Sequence, residues 1–337
     1  MISKKILVLL TVLTVFILFL GLNPLLASAQ GKERHEEKFE KTESLARDGK
    51  VEIRNISGDV EVMTWDRDEV KIDALKISRA SSMAKAKENA SKVEIEVTRQ
   101  NGTLRIETKY PRPSIKNLNV SVEYKVTIPS MAAVKARSVS GDVRLENIGG
   151  KADAETKSGD VKIAGAKNGA NAETVSGNVK VTDVENGAYC KTASGNVDAK
   201  NVSGNADLNC VSGDVTAENI RGDVEADTVS GNVKLLDISG ADVVKGKTMS
   251  GNTIYSGEIS SSGRYDLEAH SGSVEMTIPS DSAFDLSAYT FSGNIKTEFK
   301  VMVSGTVSKK KISGSVNGGG ADVNLKTFSG SIYLKKK

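Results

Sequence analysis

Histidine, tryptophan, cysteine and proline are scarce in this chain, at two, one, two and five among 337 residues. With only His35 and His270 to choose from, a Ser-His-Asp hydrolase is poorly supported. Trp65 is the sole Trp, so the stacking platforms of a sugar-processing cleft are missing. Aromatics make up 4% of the residues, which fits a core of stacked aliphatic side chains. Neither charge sign dominates: 46 basic residues face 43 acidic ones, and without residues 1–29, which contain Lys4 and Lys5 but no acid, the balance is 44 to 43. That near-neutrality argues for neither nucleic-acid binding nor a strong membrane-surface field, and Lys309–Lys311 and Lys335–Lys337 read as solvated ends.

What the chain has instead is a repeat. Ser-Gly-Asp/Asn-Val recurs at Ser140, Ser158, Ser176, Ser194, Ser212 and Ser230, a period of 18 residues that splits into two strand-plus-turn halves. Val143, Val161, Val179, Val197, Val215 and Val233 form one column, and Leu145, Ile163, Val181, Ala199, Ala217 and Leu235 another. Arg144, Lys162, Lys180, Asp198, Thr216 and Lys234 lie between them. This is period-2 alternation with one face in and one out. The second half uses smaller residues, with Ala152, Ala170, Ala188 and Ala206 in one column and Thr156, Thr174, Thr192 and Thr228 in another. A unit this short cannot bury a core alone, so copies must stack. The expected fold is all-β, a flattened parallel β-solenoid with rungs about 4.8 Å apart.

The N-terminus has Lys4 and Lys5, an apolar run Ile6 to Leu22 and then Ala27-Ser28-Ala29, the layout of a secretory signal cleaved after Ala29. An uncleaved anchor is the alternative, because 17 apolar or small residues reach the lower edge of a spanning helix. Residues 30–50 are polar and aperiodic and read as a flexible leader, with His35 a solvated side chain. Residues 51–139 form a β flank that opens on a copy of the repeat signature. In it, Ser81 to Ser91 is a short helix whose apolar contacts would be Met83 and Ala90, and a hairpin turns at Asn101-Gly102. The regular array fills 140–249. From 250 to 337 the coils widen to about 21 residues through Ser271, Ser292 and Ser313 and close at Ser329, so that 51–337 forms one continuous solenoid. The phrases Ile128-Pro-Ser and Ile278-Pro-Ser make the two flanks of the array look related.

Asn55-Ile-Ser-Gly-Asp-Val-Glu-Val, Trp65-Asp, the Ile-Pro-Ser phrases and the serial Ser-Gly-Asp/Asn-Val together resemble the bacterial putative-adhesin family of β-strand-repeat domains of unknown function, over Val51 to Leu334. The resemblance implies a right-handed β-helix-like fold in secreted or envelope proteins. It carries over no catalytic residue.

The residues themselves point to no cofactor, metal or catalytic site. The turn column Asp142, Asp160, Asn178, Asn196, Asp214 and Asn232 lacks the Gly-Gly-x-Gly-x-Asp turn of calcium-binding β-rolls and reads as an Asx ladder. Parallel β-helices include polysaccharide lyases and hydrolases, but an array without insertions marks no cleft. Cys190 and Cys210 read as small buried residues in the Ala and Thr columns. One coil and two residues apart, their α-carbons would be about 8 Å from each other, beyond the usual span of a disulfide of about 7 Å. The expected function is an exported, non-enzymatic solenoid at the cell surface, in the periplasm or outside the cell, acting as an adhesin or envelope interaction protein. A polysaccharide-binding or carbohydrate-active protein is the alternative. Envelope polysaccharide or a surface protein is the expected class of partner, with no nucleic acid and with membrane contact only through an uncleaved N-terminal segment.

Overall fold

The computed structural model describes residues 32–112, 118–303 and 308–337. The apolar run read as a signal lies outside the described residues. Every turn of the chain adds one strand to each of two facing sheets, one of 14 strands and one of 15. The strand after each corner serine joins the first sheet and the strand before it joins the second. Neighbours pair parallel and in register, so that Val161 lies between Val143 and Val179, and Val215 between Val197 and Val233. All six of these valines are buried, as are the Ala columns facing them. A slip of one residue would expose every one of them, which is why the register holds without error through the array.

The first sheet bends before it hands over to the second. Asn147, Asp183, Asn201, Asn219 and Asp237 all have φ between 52° and 58°, and Gly165 takes the equivalent place at 76°. Only Gly, Asn and Asp adopt this left-handed conformation readily. Each lets the following Ile148, Ala166, Val184, Val202, Ile220 or Ile238 point inward. This second corner column escaped the sequence analysis, although the Asn/Asp/Gly seven residues after each repeat Ser was there to be read.

At both ends the order in the stack departs from the order in the chain. Lys50–Arg54 and Val60–Trp65 fill the rung between Thr103–Lys109 with Val120–Pro129 on one side and Ala133–Arg137 with Val143–Ile148 on the other. The chain running from Val120–Pro129 to Ala133–Arg137 therefore skips a rung that an earlier segment occupies. The C-terminal end repeats the device. From Val274–Ile278 the chain skips to Phe284–Ser292, and Ala321–Ser329 with Ile332–Lys336 fill the vacated rung. Each skip follows an Ile-Pro-Ser phrase, where Pro129 or Pro279 has no N–H to give to the ladder. The coils do widen beyond Ser230, but the expected succession Ser271, Ser292, Ser313, Ser329 is corrected to Ser271, Ser329, Ser292. Ser313 is no corner; it faces Ser287 in the antiparallel strand Lys311–Val316.

The expected flexible leader is also corrected. Glu33–Ser44 is an edge strand, antiparallel to Glu69–Ala80 along its whole length. Its side chains are mostly exposed, so no apolar alternation announces it; backbone pairing, half-buried Phe39 and the Glu37–Lys76 ion pair hold it. The helix runs Met83–Ser91 with Ser82 as its cap, and it buries Ala86 and Ala90 while Met83 stays exposed. Glu94–Gln100 and Thr103–Lys109 form the expected hairpin. Both ends of the stack thus finish in antiparallel strands, and the first sheet stops at the three-residue Ile295–Thr297. Such short and reversed edges blunt the tendency of exposed strands to pair with another chain.

Candidate functional surface

The corner built on the repeat serines sets the side chains that solvent meets. Gly213, at φ 145°, would place a Cβ 2.1 Å from the Gly195 carbonyl oxygen of the rung below, so only glycine allows the rungs to approach here. The next residue makes a ladder. Asp142 Oδ1 accepts the N–H of Asp160 at 2.9 Å, Asp160 that of Asn178 at 2.8 Å, Asn178 that of Asn196 at 2.9 Å and Asn196 that of Asp214 at 3.0 Å. The expected local Asx turn is therefore a bond to the neighbouring rung. The backbone N–H of Asn232, its amide and the nearby Lys234 all favour the charged form of Asp214 and hold its carboxyl below the ordinary Asp value, against its partial burial. Among the described residues, no group of three or more His, Cys, Asp or Glu side chains is placed to hold a metal.

Two residues before each corner serine, the Thr column has a task that sequence reasoning missed. Thr156 donates its hydroxyl to Gly141 O, Thr174 to Gly159 O, Thr192 to Gly177 O and Thr228 to Gly213 O, each at 3.0 Å. Each satisfies a carbonyl that the glycine corner leaves over. Cys210 takes the same place and points its thiol at Gly195 O, while Asn55 fills it in the N-terminal rung. Cys190 lies opposite Leu208 and Cys210 opposite Thr192, and both are free buried thiols. Burial pushes both thiols up from their ordinary value, Cys190 furthest.

The column between Thr and Ser faces water and is largely apolar. Ile56, Val139, Val175, Val211, Val229, Met249, Phe328 and Phe291 follow one another along the stack, at 43% exposure for Ile56 and 55% for Val175. Lys157, Ala193 and His270 take the remaining places. At the C-terminal end the column becomes a stack of rings: His270 lies 5.0 Å from Phe328 at 6°, and Phe328 lies 4.7 Å from Phe291 at 5°. The spacing is that of the rungs, so the rings turn edges, not faces, to solvent. Beside them a shallow groove of about 520 Å³ has the Thr column as floor, with Met249 and Phe328 on one wall and Lys247 and Lys326 on the other.

The remaining outward columns are mainly polar, with some ion pairs across rungs, as in Lys135–Asp153 at 2.6 Å, Arg137–Glu155 at 2.8 Å and Lys200–Glu218 at 2.6 Å. Glu52, in part buried, is nevertheless held below the ordinary carboxylate value by Arg54 and Arg105. Trp65 donates its indole N–H to Glu69 O and lies under the Arg67 guanidinium, and His35 sits in the edge strand opposite Ser78. His270 belongs to the ring stack.

This is the architecture of a parallel β-solenoid whose specific features lie on its corners and outer faces. The sequence matches Toastrack DUF4097, a domain of unknown function, over residues 49–257 and 171–335, and the chain belongs to that family. Among solved structures it is similar to a protein of Clostridium sporogenes described as a putative cell adhesion protein, at 12% identity and a TM-score of 0.24, with 89% of this chain and all of that one covered. It is also similar to a putative adhesin of Parabacteroides distasonis, at 11% identity and 0.38, covering 88% and 97%. A third, a putative lipid binding protein of the same organism, matches at 13% and 0.28, covering 89% and 97%. Family membership rests on the sequence match and not on these superpositions. Among curated proteins no match is found.

Proposed function

We propose that this protein is an exported, non-enzymatic interaction protein of the adhesin type, which binds an envelope or surface partner along its outer corner. The observation that carries this reading is the column from Val139 to Met249, apolar at every place but Lys157 and with its Val and Met members about half exposed, in a molecule whose other outward columns are mainly polar. Contiguous exposed apolar surface marks interaction sites. Repetition at rung spacing spreads the affinity over many weak contacts. Export is supported by the N-terminal layout of Lys4, Lys5, the run Ile6 to Leu22 and Ala27-Ser28-Ala29.

The test exploits the column's own chemistry. Lys157 occupies it natively, so Val175→Lys, Val211→Lys and Val229→Lys can be combined without disturbing the fold. The chain from Gln30 onward, which contains every described strand, is measured for retention on isolated bacterial envelopes and on a glycan array. Retention on envelopes that the triple variant loses, at unchanged melting temperature, is the expected result. Equal retention of variant and parent removes the corner as the binding surface, and release of reducing sugar from any bound glycan would replace the reading with an enzymatic one.

A further inference from the structure

We propose that the C-terminal end of the solenoid docks on an anionic lipid bilayer, a second surface distinct from the corner column of the central array. The chain is close to neutral, but its charge is segregated. The outermost segment, residues 279–320, holds Lys296, Lys300, Lys309, Lys310 and Lys311 against Asp281, Asp285 and Glu298, and Lys326 and Lys335–Lys337 lie on the next rung in. The stack places these lysines together. The backbone carbonyls of Lys309 and Lys310 accept the N–H groups of Ile295 and Thr290, so this lysine run caps the last corner. Lys336 donates its backbone N–H to Glu298 in the neighbouring rung. Among the described residues, Lys296, Lys300, Lys309, Lys310, Lys311 and Lys336 form no ion pair, whereas Lys326, Lys335 and Lys337 are matched by Glu268, Glu275 and Asp237.

Apolar side chains share this end. Met302 is 75% exposed, Phe291 53% and Phe328 48%, with Val303 and Tyr289 beside them, and Lys310 Nζ lies 5.8 Å from the Phe291 ring. The turn ladder also loses its acids, from the mixed Asp142, Asp160, Asn178, Asn196, Asp214 and Asn232 of the array to Asn252, Ser273, Ser331 and Asn294 near the end. Unpaired Lys310 beside protruding Phe291, with exposed Met302 on the same outer edge, matches a bilayer with anionic headgroups, which attracts the charge and takes up the apolar tips. A soluble anionic polymer has use for the lysines but not for Met302, and a second copy of the same end would meet an equal excess of positive charge.

The chain from Gln30 onward is sedimented with vesicles of phosphatidylcholine alone and of phosphatidylcholine mixed with phosphatidylglycerol. Binding is expected to the mixed vesicles only, weakening with salt, and to fall about 100-fold when Lys309, Lys310 and Lys311 all become Gln. Met302→Ser, on an exposed edge, should weaken it as well, while the triple Val→Lys variant of the array should bind as the parent does. Equal binding to neutral vesicles, or an unchanged triple Gln variant, would overturn the proposal. Loss in the Gln variant with full retention in Met302→Ser would assign the end to an anionic polymer and likewise overturn it. Because envelope retention is read through Val175, Val211 and Val229, either proposal can fail while the other stands.

Discussion

Ser271 pairs with Ser329, not with Ser292, the next corner serine along the chain; Ser329 in turn separates Ser271 from Ser292. The last segment of the chain is thus an inner rung. Deleting residues 321–337 should open a gap inside the stack rather than trim its end, leaving Arg264–Ser271 and Phe284–Ser292 without their shared neighbour. Stability in a solenoid is a sum of nearest-neighbour terms, so the loss should stay local. Hydrogen exchange is expected to rise sharply over 264–297 and stay slow over 143–239. Undiminished protection at 264–278 would refute the rung order.

Val197 stands mid-array in a column where every member is buried, between Val179 and Val215. A carboxylate there has no partner, so Val197→Asp should cost several kcal/mol. Lys180→Asp, on the outward column, should change stability by less than about 0.5 kcal/mol. Thermal melts of the two variants decide it, and equal midpoints would sink the inward assignment.

Gly213 and Gly240 both have positive φ, but their surroundings differ. A Cβ at Gly213 meets backbone at 2.1 Å, whereas at Gly240 it meets nothing within 4 Å. Gly240→Ala should therefore cost only the left-handed penalty of about 1–2 kcal/mol. Gly213→Ala must also push two rungs apart and should cost clearly more, about 4 kcal/mol or above. Denaturant titration measures both.

The regular array was legible because its information is columnar: Val143 to Val233 repeats the same burial every 18 residues, and pairing follows from stacking like on like. The ends were not. Glu33–Ser44 is held through its backbone at an edge, and backbone pairing leaves no apolar signature in Glu, Lys and Thr. The exchange of rungs at Ser329 is a long-range choice, and corner phrases that look alike cannot order themselves. The candidate surface was hidden for another reason. Val175 and Val211 alternate out of phase with the buried columns, and the lysine run at Lys309–Lys311 comes to the last corner only once the final strands are stacked.

Asp214 makes the ladder sensitive to acid. The Asn232 backbone N–H, the first of the groups that favour its charged form, holds its pKa below the unfolded value. Its contribution is therefore complete above the unfolded Asp pKa of about 4 and is lost as pH falls through the lower folded value. Asp214→Asn has no proton to take up, and its amide oxygen can accept the same N–H, as Asn196 Oδ1 does for Asp214. The parent should be the more stable of the two at neutral pH, where Asp214 also lies 3.5 Å from Lys234, and the gap should close below pH ~4. A gap independent of pH would mean that Asp214 does not titrate in this range.

Cys190 and Cys210 test the register of the second sheet most directly. Cys190 is opposite Leu208 and Cys210 is opposite Thr192, one rung and two residues apart. Rungs about 4.8 Å apart and two residues of about 6.6 Å along the strand put the α-carbons about 8 Å from each other, past the reach of an unstrained disulfide. The Cys210 thiol is directed at Gly195 O, 3.1 Å away, in the role that Thr192 plays one rung earlier. Burial raises both thiols, so little thiolate forms at neutral pH and alkylation should be slow in the folded protein and fast in denaturant. Cys210→Thr should be neutral or stabilising, because a hydroxyl is the stronger donor to that carbonyl. Mass spectrometry of the non-reduced protein is expected to show two free thiols; a Cys190–Cys210 cross-link would shift the register by two residues and displace every pairing from Ala188 to Ser212.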